Sequence, residues 1–529
     1  YQNFLSVSAS DNSPVSWQWE NFVNYNKDFG KHSVNLMAGT SFSESRSFGV
    51  GGSYTGGDND LGFEQDNPLF WYFAYATATA TKDLYGGEAL YSRKNSYYGR
   101  AAWEYDGKYF AQFSLRADAA DLSILPKAQR WGYFPAMSAG WIVTSERFME
   151  KTRNWLSHLK LRASWGQNGS TASLGGYSYA TTIGSTGHYP FSNDIRYELG
   201  YAPSSTGNDE LKWETSEQID LGFDTRFLNN RLSLSFDYFS KKTKDLIVSG
   251  IMPSTVVGCD VSPVNAGNVE NKGIELELGW QDRIGDFSYN IRGNIATVKN
   301  KVTYLHPSLT NGINGTNFSG YGTITKFEIG QPAWYFYGYK YTGVDPQTGN
   351  PTFEDLNDDG SIGDSDKTYL GKGLADFTYG LTLSVAYKGL DLIVFGSGSQ
   401  GNDIYCCLSR EDYAINKLTH FTENRWSETN VIGTNPRAAA NDMSKYATSS
   451  ACVFDGSYFK IKQIQLGYTL PKNLISRFAL SNVRAYVSLE DFFTFTSYVG
   501  FDPETTGTGL DMGSYPTSRK VVLGFNVAF

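Results

Sequence analysis

The run Asp355-Leu-Asn-Asp-Asp-Gly-Ser-Ile-Gly-Asp-Ser-Asp366 has the sharpest chemical spacing in the chain. Oxygen ligands fall at Asp355, Asn357 and Asp359, Gly360 allows a sharp turn, Ser361 offers its carbonyl, and Asp366 closes the loop. In that order hard oxygens converge on a calcium ion, with Asp366 in the place usually held by a bidentate Glu. No amphipathic helix flanks the run, so the expectation is an isolated loop in which calcium braces structure and does not catalyse. Asp358 and Asp364 are alternative ligands, and an acidic turn with Asx-type hydrogen bonds is the competing reading.

A second cluster, Phe70-Trp71-Tyr72-Phe73, sits in a stretch rich in Gly, Ser and Asn. Aromatic faces in a wet loop can stack on sugar rings or grip peptide side chains, and can equally pack the loop against a neighbouring domain or partner. Other chemistry is weakly supported. Gly396-Ser-Gly-Ser-Gln-Gly401 lacks the βαβ setting of a dinucleotide site and reads as a flexible loop. The five His are not at metal spacing, and no G-x-S-x-G elbow occurs. Glu275 and Glu277 share a strand face by alternation alone, so they are poor evidence for a glycosidase acid pair. No enzyme is expected. Cys406 and Cys407 are adjacent, so at most one pairs easily with Cys452, and free thiols suit the sequence equally well.

The elements that would position these residues are strands. Leu232, Leu234, Phe236 and Tyr238 alternate with Ser233, Ser235 and Asp237, and Ile274, Leu276, Leu278 and Trp280 alternate with Glu275 and Glu277. The same period of two recurs at Leu159–Trp165, Phe287–Ile295 and Val521–Phe529. A phase slip between Ile461 and Ile464 predicts a β-bulge. Short joints alternate with long excursions at 46–93, 119–130, 169–210, 245–270, 300–377, 399–456 and 491–518. Short turns at one end and long loops at the other predict an all-β, transmembrane antiparallel barrel with an apolar face on lipid and a polar lumen.

Composition agrees. Of 529 residues, 16% are aromatic and 19% charged, with 55 Gly. No stretch is apolar enough for a membrane helix. A net charge of -9 without a basic run makes nucleic acid a poor candidate partner, and none is expected. Tracing strand direction through the joints predicts about fifteen strands, or seventeen if 300–377 hides a pair. Bacterial single-chain barrels have even counts. The expectation is therefore that 1–529 is the C-terminal part of one barrel, lacking its first strands, and that it does not close by itself.

Several segments resemble the SusC/RagA-type TonB-dependent outer-membrane transporters of the Bacteroidetes. They include Asn265-Ala-Gly-Asn-Val-Glu-Asn-Lys-Gly-Ile-Glu275, Leu159-Lys-Leu-Arg-Ala-Ser-Trp-Gly-Gln167, Leu466-Gly-Tyr-Thr-Leu-Pro471 and Phe501-Asp-Pro-Glu504, in order along the chain. The resemblance implies a 22-stranded barrel around an N-terminal plug that this sequence lacks. It also implies a SusD-like lipoprotein at the surface, energy from TonB–ExbB–ExbD, and a terminal aromatic, Phe529, read by the barrel-assembly machinery. The expected function is active import of a bulky nutrient, an oligosaccharide or an oligopeptide. A passive porin and a secreted all-β carbohydrate-binding or hydrolysing protein are the alternatives.

Overall fold

The structure is a computed structural model that describes residues 6–56, 72–75, 81–87, 90–191, 196–249, 258–309, 311–318, 320–409, 418–438, 440–476, 480–505 and 507–529. Alternating residues such as Leu232–Tyr238 form strands because period-two side chains can occupy two different solvents on opposite faces. Fifteen strands pair antiparallel in chain order. They are β1 (Ser6–Phe29), β2 (His32–Thr55), β3 (Leu90–Tyr105), β4 (Tyr109–Ala119), β5 (Trp131–Ile142), β6 (Leu156–Ser170), β7 (Glu214–Phe227) and β8 (Leu232–Val248). β9 (Val264–Ile284), β10 (Phe287–Thr297), β11 (Phe377–Tyr387), β12 (Leu390–Gln400), β13 (Tyr458–Thr469), β14 (Asn482–Thr496) and β15 (Lys520–Ala528) complete the wall. Two short strands, Thr81–Gly86 and Lys299–Leu305, extend the sheet along the upper parts of β2 and β9. Among the described residues β1 does not pair with β15, so the sheet has two free edges.

The joints after β1, β3, β7, β9 and β11 are two to four residues long and those after β5 and β13 thirteen and twelve, whereas the even-numbered strands lead into segments of eleven residues at 120–130, fifteen at 249–263 and far more elsewhere. The tightest joints are two residues long. Lys388 and Gly389 both take positive φ, 47° and 90°, as a hairpin turn that follows the sheet's twist demands. A Cβ on Gly389 would lie 2.7 Å from the Thr469 carbonyl oxygen, so glycine is required twice over.

The wall strands reach further into the loops than alternation predicts. Ser6–Ser16 pair with Ser45–Thr55, and Leu246–Val248 pair with residues of Val264–Gly267. These Ser- and Gly-rich ends have little hydrophobic period, and their partner's backbone supplies the order. Among the described residues of 298–376 there is no additional pair of wall strands. That segment instead folds into small sheets, Ile313–Asn314, Thr325–Phe327, Tyr335–Tyr339 and Lys367–Gly371 forming one, Tyr341–Val344 and Pro351–Phe353 another. The β13 phase slip is a bulge: the register shifts between Ile461 and Gln463 against β14 and at the facing positions of β12.

Register carries one apolar row across the wall. Leu161 faces Phe223, Phe223 faces Phe236, Phe236 faces Leu276, and Leu276 faces Ile295. Farther on, Leu392 faces Leu466, Leu466 faces Val487, and Val487 faces Leu523. None of these side chains belongs to a buried core, and Leu466 and Leu523 are 48% and 75% exposed. A contiguous apolar surface of this extent is foreign to water-facing proteins and fits hydrocarbon. Aromatic clusters border the row at both ends. Tyr105, Tyr109 and Trp141 pack near the short turns, while Trp19, Phe42, Tyr97 and Trp131 pack near the loops. On β2, His32 and Phe42 lie ten residues apart, about 33 Å along the strand, and a tilt of ~40° projects that to about 25 Å, the height of a membrane barrel's apolar band.

The buried cores lie in the loops. The largest joins Phe318, Ile324, Phe336, Ile404, Tyr405 and Phe421 with Tyr446 and Tyr498, drawing on three separate excursions. A second holds Leu125, Leu174, Leu211 and Ile247, and a third Val269, Val302, Leu305 and Phe327. The long loops are thus packed structures above the wall, which together form a dome.

Candidate functional site: the polar wall and the loop dome

Opposite the apolar row the same strands present polar groups. Arg162 on β6 binds Asp224 on β7 through two hydrogen bonds, 2.8 and 3.0 Å, and reaches Asp237 on β8 at 2.8 Å. Ser235 donates to Asp224 at 2.7 Å, so one guanidinium ties three strands together on this face. Arg484 on β14 donates to Asp391 on β12 at 2.8 Å in the same way. Glu275 stands opposite Asp237 and Glu277 opposite Ser235, as alternation requires, so the two acids are wall residues on a shared face. A niche of about 370 Å³ on this face is lined by Asn35, Gln112, Lys160, Arg162, Ser164 and Asp220. Charges of both signs, cross-linked between strands, suit a stiff aqueous lumen.

An apolar band bounded by aromatics, a polar reverse face, and turns and loops segregated to opposite ends define a wall between hydrocarbon and water. The family model described as "TonB dependent receptor-like, beta-barrel" matches residues 2–488. The chain belongs to the TonB-dependent receptor-like β-barrel family. Among curated relatives it is 31% identical to TonB-dependent receptor P3 of Formosa agariphila, covering 96% of this chain and 52% of that protein. It is 29% identical to the receptor SusC of Bacteroides thetaiotaomicron, over 84% of this chain and 44% of SusC. A solved structure of the RagAB peptide transporter shares the fold, with a TM-score of 0.82 at 23% identity over 99% of this chain and 56% of that one. The chain spans about half the length of the curated relatives it matches. These matches make it a SusC/RagA-like all-β barrel of the outer membrane, and its relatives are named as receptors and transporters.

In this receptor barrel the acidic loop folds as a chain of tight turns. Asp358 and Gly360 take positive φ, 57° and 81°. Asp355 accepts from the Gly360 N–H at 2.8 Å, and Asp366, fully buried, accepts from the N–H groups of Leu356 and Gly363 at 2.9 and 2.8 Å. The Ser361 backbone N–H, together with Asn357, holds the Asp359 carboxyl below the ordinary carboxylate range. One oxygen, Oδ1 of Asp355, is buried without a partner. Among the described residues no three His, Cys, Asp or Glu side chains converge as a metal cluster. The loop thus brings its candidate ligands into one turn system, in which Asp366 spends both oxygens on backbone N–H groups and Asp359 accepts from the Ser361 N–H and the Asn357 side-chain amide.

Of the aromatic cluster, Phe70 and Trp71 lie outside the described residues. Tyr72 is exposed, and the Phe73 ring packs 5.1 Å from that of Tyr54 on β2. Phe73 therefore packs against the wall, and Tyr72 is exposed beside it. The cysteines Cys259, Cys406, Cys407 and Cys452 are all free thiols. Burial pushes Cys406 up to about 11 and Cys452 up to about 12, which keeps both protonated and inert as nucleophiles.

Two features of the dome escaped the sequence reading. One is the anchor of Phe501-Asp-Pro-Glu504: buried Lys460 on β13 donates to Asp502 and Glu504, each at 3.0 Å, and Lys462 also pairs with Glu504. Burial pushes the Asp502 carboxyl up, but the Lys460 ammonium and the Glu504 N–H outweigh it and hold it below its usual value. The other is a face of tyrosines and lysines at 326–369. The run Tyr335-Phe-Tyr-Gly-Tyr-Lys-Tyr341 signalled it by its alternating phenols.

Proposed function

We propose that the intact receptor imports a bulky nutrient, an oligosaccharide or an oligopeptide, across the outer membrane in a TonB-dependent way. The observation that carries this is the wall itself: one face is apolar across the whole sheet, and the other holds cross-strand ion pairs such as Arg162–Asp224–Asp237. On this reading the polar face encloses a plug that TonB–ExbB–ExbD pulls upon, and substrate is handed over at the dome by a SusD-like lipoprotein. Binding then depends on contacts that differ between plug positions, so that energy input shifts populations and no bond chemistry is needed. The test is uptake of labelled glycans and peptides by cells carrying the complete receptor, with and without TonB. Uptake that stops without TonB is the expected outcome. Uptake that persists without TonB supports a passive porin instead.

We also propose that Asp355, Asn357, Asp359, the Ser361 carbonyl and Asp366 hold a calcium ion that stiffens their loop. The partnerless Asp355 oxygen and the positive φ of Gly360 support this, and Asp359 must turn from the Ser361 N–H toward the ion. Added calcium then slows proteolysis within 355–366, and Asp355→Asn abolishes the difference. Digestion unchanged between calcium and chelator defeats the proposal.

A further inference from the structure

Along Tyr335–Tyr339 the phenols of Tyr335, Tyr337 and Tyr339 share one sheet face, while Phe336 enters the dome's main core. On the phenol face the Lys326 ammonium stands 4.7 Å above the Tyr337 ring, and the Lys367 ammonium 5.2 Å above the Tyr339 ring. Register makes this arrangement: Tyr339 faces Lys367 on the neighbouring strand, and Tyr337 faces Tyr369. A cavity of about 590 Å³ opens over this face and is closed on one side by Lys445 of the helix Met443–Ala447. Its size falls within the range of small-molecule sites.

The charges of the lining are unequal. Lys326, Lys367 and Lys445 all line the cavity, whereas Asp364 is its only carboxylate among the described residues, at 2.8 Å from Lys367. The carboxylates nearest the other two, Glu328 at 3.6 Å from Lys326 and Asp442 at 3.3 Å from Lys445, are not among the lining residues. Lys326 and Lys367 are only 14% and 11% exposed, so their ammoniums have lost most of their water. Ring faces and single carboxylates replace that water incompletely, and an anion in the cavity would complete the shell. Lys326 also covers one face of Tyr337 and Lys367 one face of Tyr339, so those faces are not free for stacking. The rest of the lining is neutral and hydrogen-bonding, notably Asn314, Asn317, Thr323 and Ser444, and offers little apolar surface for a peptide side chain.

We propose that this cavity is a subsite for an acidic sugar, whose carboxylate or sulfate sits among Lys326, Lys367 and Lys445 while its hydroxyls meet the amides and hydroxyls around them. The proposal deepens the import reading by naming a substrate class, an anionic oligosaccharide, and rests on that reading only for its purpose.

The test is calorimetric binding to the purified complete receptor in detergent. The probes are a glucuronate-terminated disaccharide, a sulfated disaccharide, their neutral counterparts and a tri-glutamate peptide. At least one acidic saccharide should bind roughly tenfold more tightly than its neutral counterpart, and Lys445→Gln should remove roughly that factor while Lys445→Arg keeps it. Lys326→Gln should weaken binding similarly, and Lys445, on the helix surface, provides the variant with least risk to folding. Equal binding of neutral and acidic saccharides, a preference for tri-glutamate, or unchanged affinity in Lys445→Gln each overturns the subsite. The assay needs neither a membrane nor TonB. A failure here leaves the import reading standing, and loss of TonB dependence with binding intact overturns import alone.

Discussion

The wall and the dome solve opposite packing problems with one chain. In the membrane-spanning part of the wall, each residue's environment follows from its parity: Leu276 and Leu278 meet hydrocarbon while Glu275 and Glu277 meet the lumen, and only strand ends such as Ile247 and Val269 enter the loop cores. In the dome, Phe336, Tyr405 and Tyr498 come from three separate excursions into one core, and the Phe336 and Tyr405 rings, 69 positions apart, pack 5.6 Å from each other. A membrane supplies the wall with its apolar solvent ready-made, whereas the dome must build its own from distant loops. The wall is therefore robust to sequence change that keeps parity, and the dome is sensitive to single core truncations.

The largest expected effect is in the dome. Phe336→Ala removes a fully buried ring and should cost the dome roughly 3–5 kcal/mol. Hydrogen exchange should rise in 313–371 and 401–457, while the heat-modifiable gel mobility of the folded barrel stays unchanged. If the barrel is lost as well, the division between wall and dome is wrong.

Next comes the anchor between them. Lys460→Ala removes the buried ammonium that faces Asp502, leaves Glu504 to Lys462 alone, and should cost about 3 kcal/mol of loop docking, read as faster proteolysis within 497–519. The same contact sets a pH dependence. Because Lys460 lowers the Asp502 value, docking is fully favoured above the unfolded carboxylate value of about 4 and is lost as pH falls through the lowered folded value. Protease sensitivity that rises toward neutral pH instead would contradict the ion pair.

The smallest effect should separate the wall's two faces. Leu276→Arg on the apolar row should cost about 2–3 kcal/mol of stability in lipid, whereas Asn294→Arg, on the polar face, should lie near zero. Denaturant titration in bilayers measures both, and equal costs would erase the assigned inside and outside.

The wall was legible because its information is local. Alternation in Leu232–Tyr238 and Gly273–Trp280 assigns both faces, paired apolar runs assign neighbours, and a slip of one residue at Ile461–Ile464 announces the bulge. Strand ends were less legible. Ser6–Ser16 has little apolar period beyond Val7 and Ala9 and is held as a strand by its pairing with Ser45–Thr55. The acidic loop was legible as a turn system, since Gly360 and the Asx residues act within a few positions of one another.

The amino-acid sequence alone determined the all-β class, the two-faced wall, the alternation of turns and loops and the position of the acidic turn. Each of these follows from residue type at short spacing. Tertiary structure decided what the long loops are. It gathered Phe318, Tyr405 and Tyr446 into one core, buried Lys460 against Asp502, and set Lys326, Lys367 and Lys445 around a single cavity. Such meetings depend on three-dimensional closure between segments whose local patterns carry no record of one another.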